Sequence, residues 1–142
     1  MGRVLGVDLG ARRIGLALSD PSGVVATPWG VLERSGDPAA DRRAIVDVAR
    51  AEGASCIVVG LPRALSGRLG PAAREVLAEV EELRATAGPE LPVETHDERL
   101  TTVTAERALV QAGVRRRARR GVVDQVAAAV MLQSYLETRR AP

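Results

Sequence analysis

Three places in this 142-residue chain put a carboxylate where an apolar side chain is expected. Val4-Leu5-Gly6-Val7 reads as a buried strand, and it ends on Asp8. A charge there costs on the order of several kcal/mol unless it is paired or holds a cation. Ligand sites in open α/β sheets gather at this carboxyl end of the strands. The plainer alternative is a turn aspartate ahead of Gly10. Asp124 heads a helix whose positions three and four residues on, Ala127 and Ala128, and then Met131 and Tyr135, form an apolar face. The helix dipole would welcome a negative charge near that end, but it does not explain an inward one. Asp97 and Glu98 lie where the last strand leaves the sheet, and alternation sends such neighbours to opposite faces. The longer Glu98 is the one expected to reach the site. Asp97 is then left to order the loop or cap the next helix.

Carboxylates from the first strand, the last strand and the final helix can converge on one point. An oxygen-only set selects a hard cation, Mg²⁺ or Mn²⁺. Two such ions about 4 Å apart activate water and stabilise the leaving oxygen of a phosphodiester. Asp8, Glu98 and Asp124 are thus the expected catalytic and metal-binding residues. Candidate phosphate-binding cations lie close by in sequence. Arg12 and Arg13 follow Asp8, Arg99 follows Glu98, and Arg119 and Arg120 end a basic run that begins at Arg115. Solvated loops would account for the same arginines without any ligand. His96, the only histidine, adjoins the acids and could move a proton. A lone histidine at a strand end is more simply a surface residue, and that is the expectation here. Thr101 and Thr102 most simply cap a helix.

The elements that must position these groups follow from hydrophobic period and punctuation. Strands are expected over 4–8, 14–18 and 24–32, joined by tight turns into an antiparallel meander, with Pro28 interrupting the third. Asp37-Pro38 opens a helix with an Ile45, Val48, Ala49 stripe that stops at Gly53. Residues 56–60 form an apolar strand, 61–71 a loop, and 72–87 a helix that Gly88-Pro89 ends. A strand over 91–96, a helix over 102–111 and a final helix over 122–139 complete the chain. This order implies an α/β fold: a mixed five-stranded sheet, three strands in a meander plus two parallel, with helices on both faces. One domain over 1–142 is expected.

Composition narrows the functions. Apolar residues make up 46% of the chain, yet Trp29 and Tyr135 are the only aromatic ones besides His96. A protein that stacks single-stranded bases on a ring platform needs rings that are absent here. All 20 basic residues are Arg and the net charge is +2. Arg grips phosphate bidentately, although genomic composition is the simpler explanation of an all-Arg set. Cys56 is alone, so no disulfide framework is expected. No leader and no apolar run near the ~18 residues of a membrane span are visible, and a cytoplasmic protein is expected.

The ordered motifs resemble one bacterial family. They are Gly6-Val7-Asp8-Leu9-Gly10, Arg12-Arg13-Ile14-Gly15-Leu16-Ala17-Leu18-Ser19-Asp20 and Val58-Val59-Gly60-Leu61-Pro62. Asp97-Glu98-Arg99-Leu100-Thr101-Thr102, Val123-Asp124-Gln125-Val126-Ala127-Ala128 and Leu132-Gln133-Ser134-Tyr135-Leu136 follow. The chain resembles the YqgF/RuvX family of resolvases and pre-ribosomal-RNA nucleases over nearly its whole length. The resemblance implies a ribonuclease-H-like fold, metal ligands at Asp8, Glu98 (or Asp97) and Asp124, and hydrolysis of structured nucleic acid. Its assigned role is maturation of the 16S ribosomal RNA precursor at the 5′ end, and Holliday junction resolution in DNA is the older proposal. One departure is the stretch Arg63-Ala64-Leu65-Ser66-Gly67, where the family shows Asn and an acidic residue before Gly. Two rival readings are a non-catalytic factor binding ribosomal RNA and an ATP-binding protein of the actin and sugar-kinase group. The latter needs two such domains to enclose a nucleotide. The expected partner is nucleic acid, pre-ribosomal RNA or branched DNA, with no membrane, and with the protein as monomer or homodimer.

Overall fold

The computed structural model describes residues 2–62, 69–97 and 120–140, with the side chains of 120–124 and 140 outside the described set. Strands β1 (Arg3–Leu9), β2 (Arg13–Ser19) and β3 (Ala26–Glu33) come first, followed by helix α1 (Pro38–Ala51) and strand β4 (Ala54–Leu61). Helix α2 (Pro71–Ala87), strand β5 (Val93–Asp97) and helix α3 (Arg120–Arg140) complete the described elements. They form one five-stranded sheet in the order β3-β2-β1-β4-β5. β1 pairs antiparallel with β2, and β2 with β3, whereas β1, β4 and β5 run parallel. This is the mixed sheet expected from the sequence. The helix expected over 102–111 lies outside the described residues.

Alternation along β1 divides the core. Leu5 and Val7 join Ile14, Leu16, Ile57 and Val59 beneath α1 and α2. Val4 faces the other way, with Ala17 and Val58, against Ala128, Leu132 and Leu136 of α3. Helices therefore cover both faces of the sheet. The central strand is buried from Val4 to Val7 and Asp8 is half-buried.

Local chemistry sets the ends of the elements. Asp37 caps α1 by accepting the Ala39 N–H at 3.1 Å, and Pro38 takes the first turn. Gly53 and Gly88, at φ 69° and 81°, turn the chain out of α1 and α2 in a region that favours glycine. β3 begins two residues later than the apolar run suggests. The Asp20 carboxylate accepts the Val24 and Val25 N–H groups at 2.7 and 2.8 Å, so those amides close a turn instead of joining the ladder. A bond from the Ser22 hydroxyl, together with these two, holds the Asp20 carboxyl well below its usual pKa. Pro28 is accommodated because β3 is an edge strand, and the register shifts beside its partner Ala17.

α3 is tied to the start of β3 by one side chain. Buried Gln133 accepts the Ala26 N–H at 2.8 Å and donates to the Val24 carbonyl at 3.1 Å. Its amide takes both backbone groups as a neighbouring strand would. Gln133→Leu strands them, and urea unfolding is expected to show a loss of about 1–3 kcal/mol. A loss within the ~0.5 kcal/mol typical of surface changes would refute this role.

Candidate active site

Asp8 lies on the central strand, one residue short of its carboxyl end. Its antiparallel partner is Gly15. The preceding row is Val7, Val59 and Thr95, and the next row on β4 and β5 is Gly60 and His96. Continuing the β1–β4 register by one residue sets Gly60 beside Asp8. Both strand neighbours of the carboxylate thus lack a side chain, which leaves room around it. Alternation assigns Asp8 to the same face as Val4 and Gly6, the face that α3 covers. A Cβ built on Gly6 would stand 2.9 Å from Leu132 Cβ and 3.4 Å from the Ala128 carbonyl. α3 therefore rests directly on β1 there, and Asp124 is one helical turn ahead of Ala128.

The buried face of α3 comprises Ala128, Met131, Leu132 and Tyr135 among others, but Ala127 is exposed. The expected stripe is corrected by that one residue, because Ala127 lies outside the seam that Ala128, Leu132 and Leu136 make at four-residue spacing. Arg120 also departs from expectation: it is the first residue of α3 and not part of a loop. The side chains of Arg120 and Asp124 are outside the described set, as are residues Glu98, Arg99, Arg119, Thr101, Thr102 and the 63–67 stretch.

Asp8 leads into a tight turn. The Gly10 N–H donates to the Arg13 carbonyl at 3.0 Å, and a Cβ on Gly10 would meet that oxygen at 2.5 Å. Only glycine fits so close to the facing backbone. Arg12 is exposed at the tip, and Arg13 is the first residue of β2. β2 alternates with Ile14, Leu16 and Leu18 under α1 and α2, so Arg13 takes the register of Gly15 and Ala17, on the Asp8 face. Arg12 and Arg13 thus lie in and just after the turn that follows Asp8, Arg13 on the face of that carboxylate.

The far side of the site corrects one expectation. His96 is not a surface residue: it is 5% exposed, with Nε2 3.0 Å from the Ser134 hydroxyl and its ring edge-on to Tyr135 at 5.8 Å. Burial lowers its pKa, and nearby Asp97 opposes that shift. The imidazole links β5 to α3 and is engaged inside the core. Beside it, the Tyr135 hydroxyl donates to Glu94 at 2.6 Å, and Arg139 donates to that hydroxyl at 2.6 Å. Burial and the Glu94 bond raise the Tyr135 pKa. With Val93 in the α1–α2 cluster and His96 against α3, β5 assigns position 97 to the α1–α2 side. Asp97 is therefore not on the Asp8 face.

Asp8 supplies the type of donor that a hard divalent cation takes. Asp8 offers only carboxylate oxygen, and the imidazole in its row is held by Ser134. Among the described residues, no group of three His, Cys, Asp or Glu side chains is close enough to hold a metal ion. Sequence reasoning missed the two glycines flanking Asp8 and the His96–Ser134 link. The first needs the strand register, and the second joins residues 38 positions apart.

The family model described as "RuvX: Holliday junction resolvase" matches residues 2–138. The chain belongs to this family. Among its relatives, a protein of Desulforudis audaxviator named "Putative pre-16S rRNA nuclease" is 46% identical over 97% of this chain and 96% of its own. A protein of Moorella thermoacetica with the same name is 47% identical, covering 95% and 94% of the two chains. One of Mycobacterium sp. (strain KMS), again so named, is 45% identical over 99% of this chain and 82% of its own. Among solved structures, Thermus thermophilus RuvC in complex with a Holliday junction substrate superposes with a TM-score of 0.63 at 18% identity, covering 99% and 98% of the chains. The Thermus thermophilus RuvC structure gives 0.59, also at 18%, over 96% of each chain. At that identity the likeness establishes the ribonuclease-H-like fold of this RuvX-family chain. Among the described residues, no helix is long and apolar enough to cross a membrane.

Proposed function

We propose that this protein is a divalent-metal-dependent nuclease that hydrolyses phosphodiester bonds in structured nucleic acid, processing the 5′ end of the 16S ribosomal RNA precursor. The observation that carries this reading is Asp8, half-buried between two glycine neighbours beneath the helix that bears Asp124. Relatives 45–47% identical over nearly the full chain carry a pre-16S rRNA nuclease name, which supports the choice of substrate.

Asp8, Glu98 and Asp124 would hold Mg²⁺ or Mn²⁺, as two ions. When bound, these supply a more acidic water and charge neutralisation at the leaving oxygen. Arg12 and Arg13 orient the scissile phosphate beside Asp8, and Arg99, Arg119 and Arg120 extend the cationic track along the substrate. Residues 1–142 act as one nuclease domain in the cytoplasm. A single cut in RNA needs one site and hence only a monomer.

The family description favours one second reading, Holliday junction resolution. Cutting two strands symmetrically would require a homodimer. The purified protein should be offered a 16S precursor fragment and a four-way DNA junction, with Mg²⁺, Mn²⁺ or chelator. Divalent-dependent cleavage of the RNA is expected. Cleavage of the junction alone selects the second reading. Salt-sensitive binding with no cleavage of either would leave a non-catalytic ribosomal-RNA-binding factor instead.

A further inference from the structure

The turn that follows Asp8 is braced from the opposite face of the sheet by a residue outside the motifs that mark the site. Arg34, just past the end of β3, donates its backbone N–H to the Arg12 carbonyl at 2.9 Å. Its side-chain Nε donates to the Gly10 carbonyl at 2.9 Å. The two terminal nitrogens grip Glu79 of α2 at 2.8 and 3.2 Å. One guanidinium thus joins the β1–β2 turn to a helix 45 residues further along the chain. Both partners are only 19% exposed at their side chains, so water competes weakly for these bonds.

The fork geometry matters. Nε points at Gly10 while the two terminal nitrogens face Glu79, so the carboxylate fixes the plane from which the Gly10 bond is made. Glu79 also favours the charged guanidinium, with a smaller contribution from Asp41, itself held by the Ser35 hydroxyl at 2.7 Å. Gly10 is two residues from Asp8, and Arg12 carries the cation at the tip. A shift of this turn moves the carboxylate and the phosphate grip together.

We propose that Arg34, oriented by Glu79, is a positioning residue that fixes the Gly10–Arg13 turn and through it the Asp8 carboxylate and Arg12. This rests on the nuclease reading, since Asp8 is taken as a metal ligand. Removing a group that holds a metal ligand in place typically costs about 10–100-fold in metal affinity or activity. A mere strut between a strand end and a helix would instead lower global stability and leave metal affinity unchanged.

The test compares Arg34→Met, Arg34→Lys and Glu79→Gln in the full chain. Arg34→Lys keeps a charge opposite Glu79 but cannot bond Gly10 and both carboxylate oxygens with one fork. Three readouts apply: amide exchange at Gly10, calorimetric Mn²⁺ affinity without nucleic acid, and kcat against KM for RNA cleavage. The expected order of effect is Met, then Lys, then Gln. Gly10 exchange should quicken beyond any change in global stability, Mn²⁺ affinity should fall about 10–100-fold for Met, and kcat should fall with it. If Arg34→Met fails to fold, the Lys and Gln variants carry the comparison. Unchanged Gly10 exchange and Mn²⁺ affinity in the folded variants overturn the proposal. If the unaltered protein binds no Mn²⁺ and cuts nothing, the nuclease reading fails, whereas Gly10 exchange still reports on whether the brace exists.

Discussion

Asp8→Asn and Asp124→Asn should each reduce cleavage by on the order of 10³-fold, because a bound metal contributes several kcal/mol of transition-state stabilisation and each ~1.4 kcal/mol is tenfold in rate. The amide keeps the shape of the carboxylate but removes the charge that holds a cation. Neither change should unfold the protein. Asp8 is half-buried at a strand end and not part of either hydrophobic cluster. RNA affinity measured without divalent ions should be preserved or improved, since a negative charge facing the phosphates is gone. The pattern of intact binding with lost turnover separates a nuclease from a non-catalytic RNA-binding factor. Full activity in both variants would remove Asp8 and Asp124 from the chemistry.

What the sequence disclosed depended on how local each signal was. The apolar run of β2 and the helical spacing of α1, opened by Asp37-Pro38, are each visible within a dozen or so residues, and both elements form where expected. Asp8 was legible as a charge at the end of an apolar run. The place of Asp124, one helical turn ahead of the buried Ala128, was legible from spacing alone. Long-range partners were not legible. Gln133 meets Ala26 across 107 residues, and Arg34 meets Glu79 across 45. A one-dimensional pattern cannot tell such polar residues from surface ones. His96 was misjudged for the same reason: what buries it is α3, far away in sequence. The late start of β3 came from Asp20, whose carboxylate outcompetes the sheet for two amides. The choice between Asp97 and Glu98 turns on strand alternation: β5 sets position 97 on the α1–α2 side, and Glu98 lies outside the described residues.

Gly6→Ala should damage catalysis more than its one methyl suggests. In a strand interior, replacing glycine normally helps by about 0.5–1 kcal/mol, because glycine loses more backbone freedom on folding. Here the new Cβ would lie 2.9 Å from Leu132 Cβ, 3.3 Å from Leu132 Cδ2 and 3.4 Å from the Ala128 carbonyl. A rotamer change can move Cδ2 but not a Cβ or a helix carbonyl, so α3 itself must lift. Overpacking of this kind costs about 1–3 kcal/mol and outweighs the entropic gain. Thermal unfolding should drop by roughly 2–12 °C at about 2–4 °C per kcal/mol. Because Asp124 is on the lifted helix and Asp8 is on the strand beneath it, the two carboxylates separate. A misplacement near 1 Å can cost about 10²-fold in rate, so cleavage should fall well below what the stability change predicts at 25 °C. Gly30→Ala is the matched control: it is also a strand glycine, but its added Cβ meets nothing within 4 Å. That variant should be neutral or slightly stabilised and fully active. If Gly6→Ala behaves like Gly30→Ala, α3 does not rest on β1 closely enough to set the distance between the two acids.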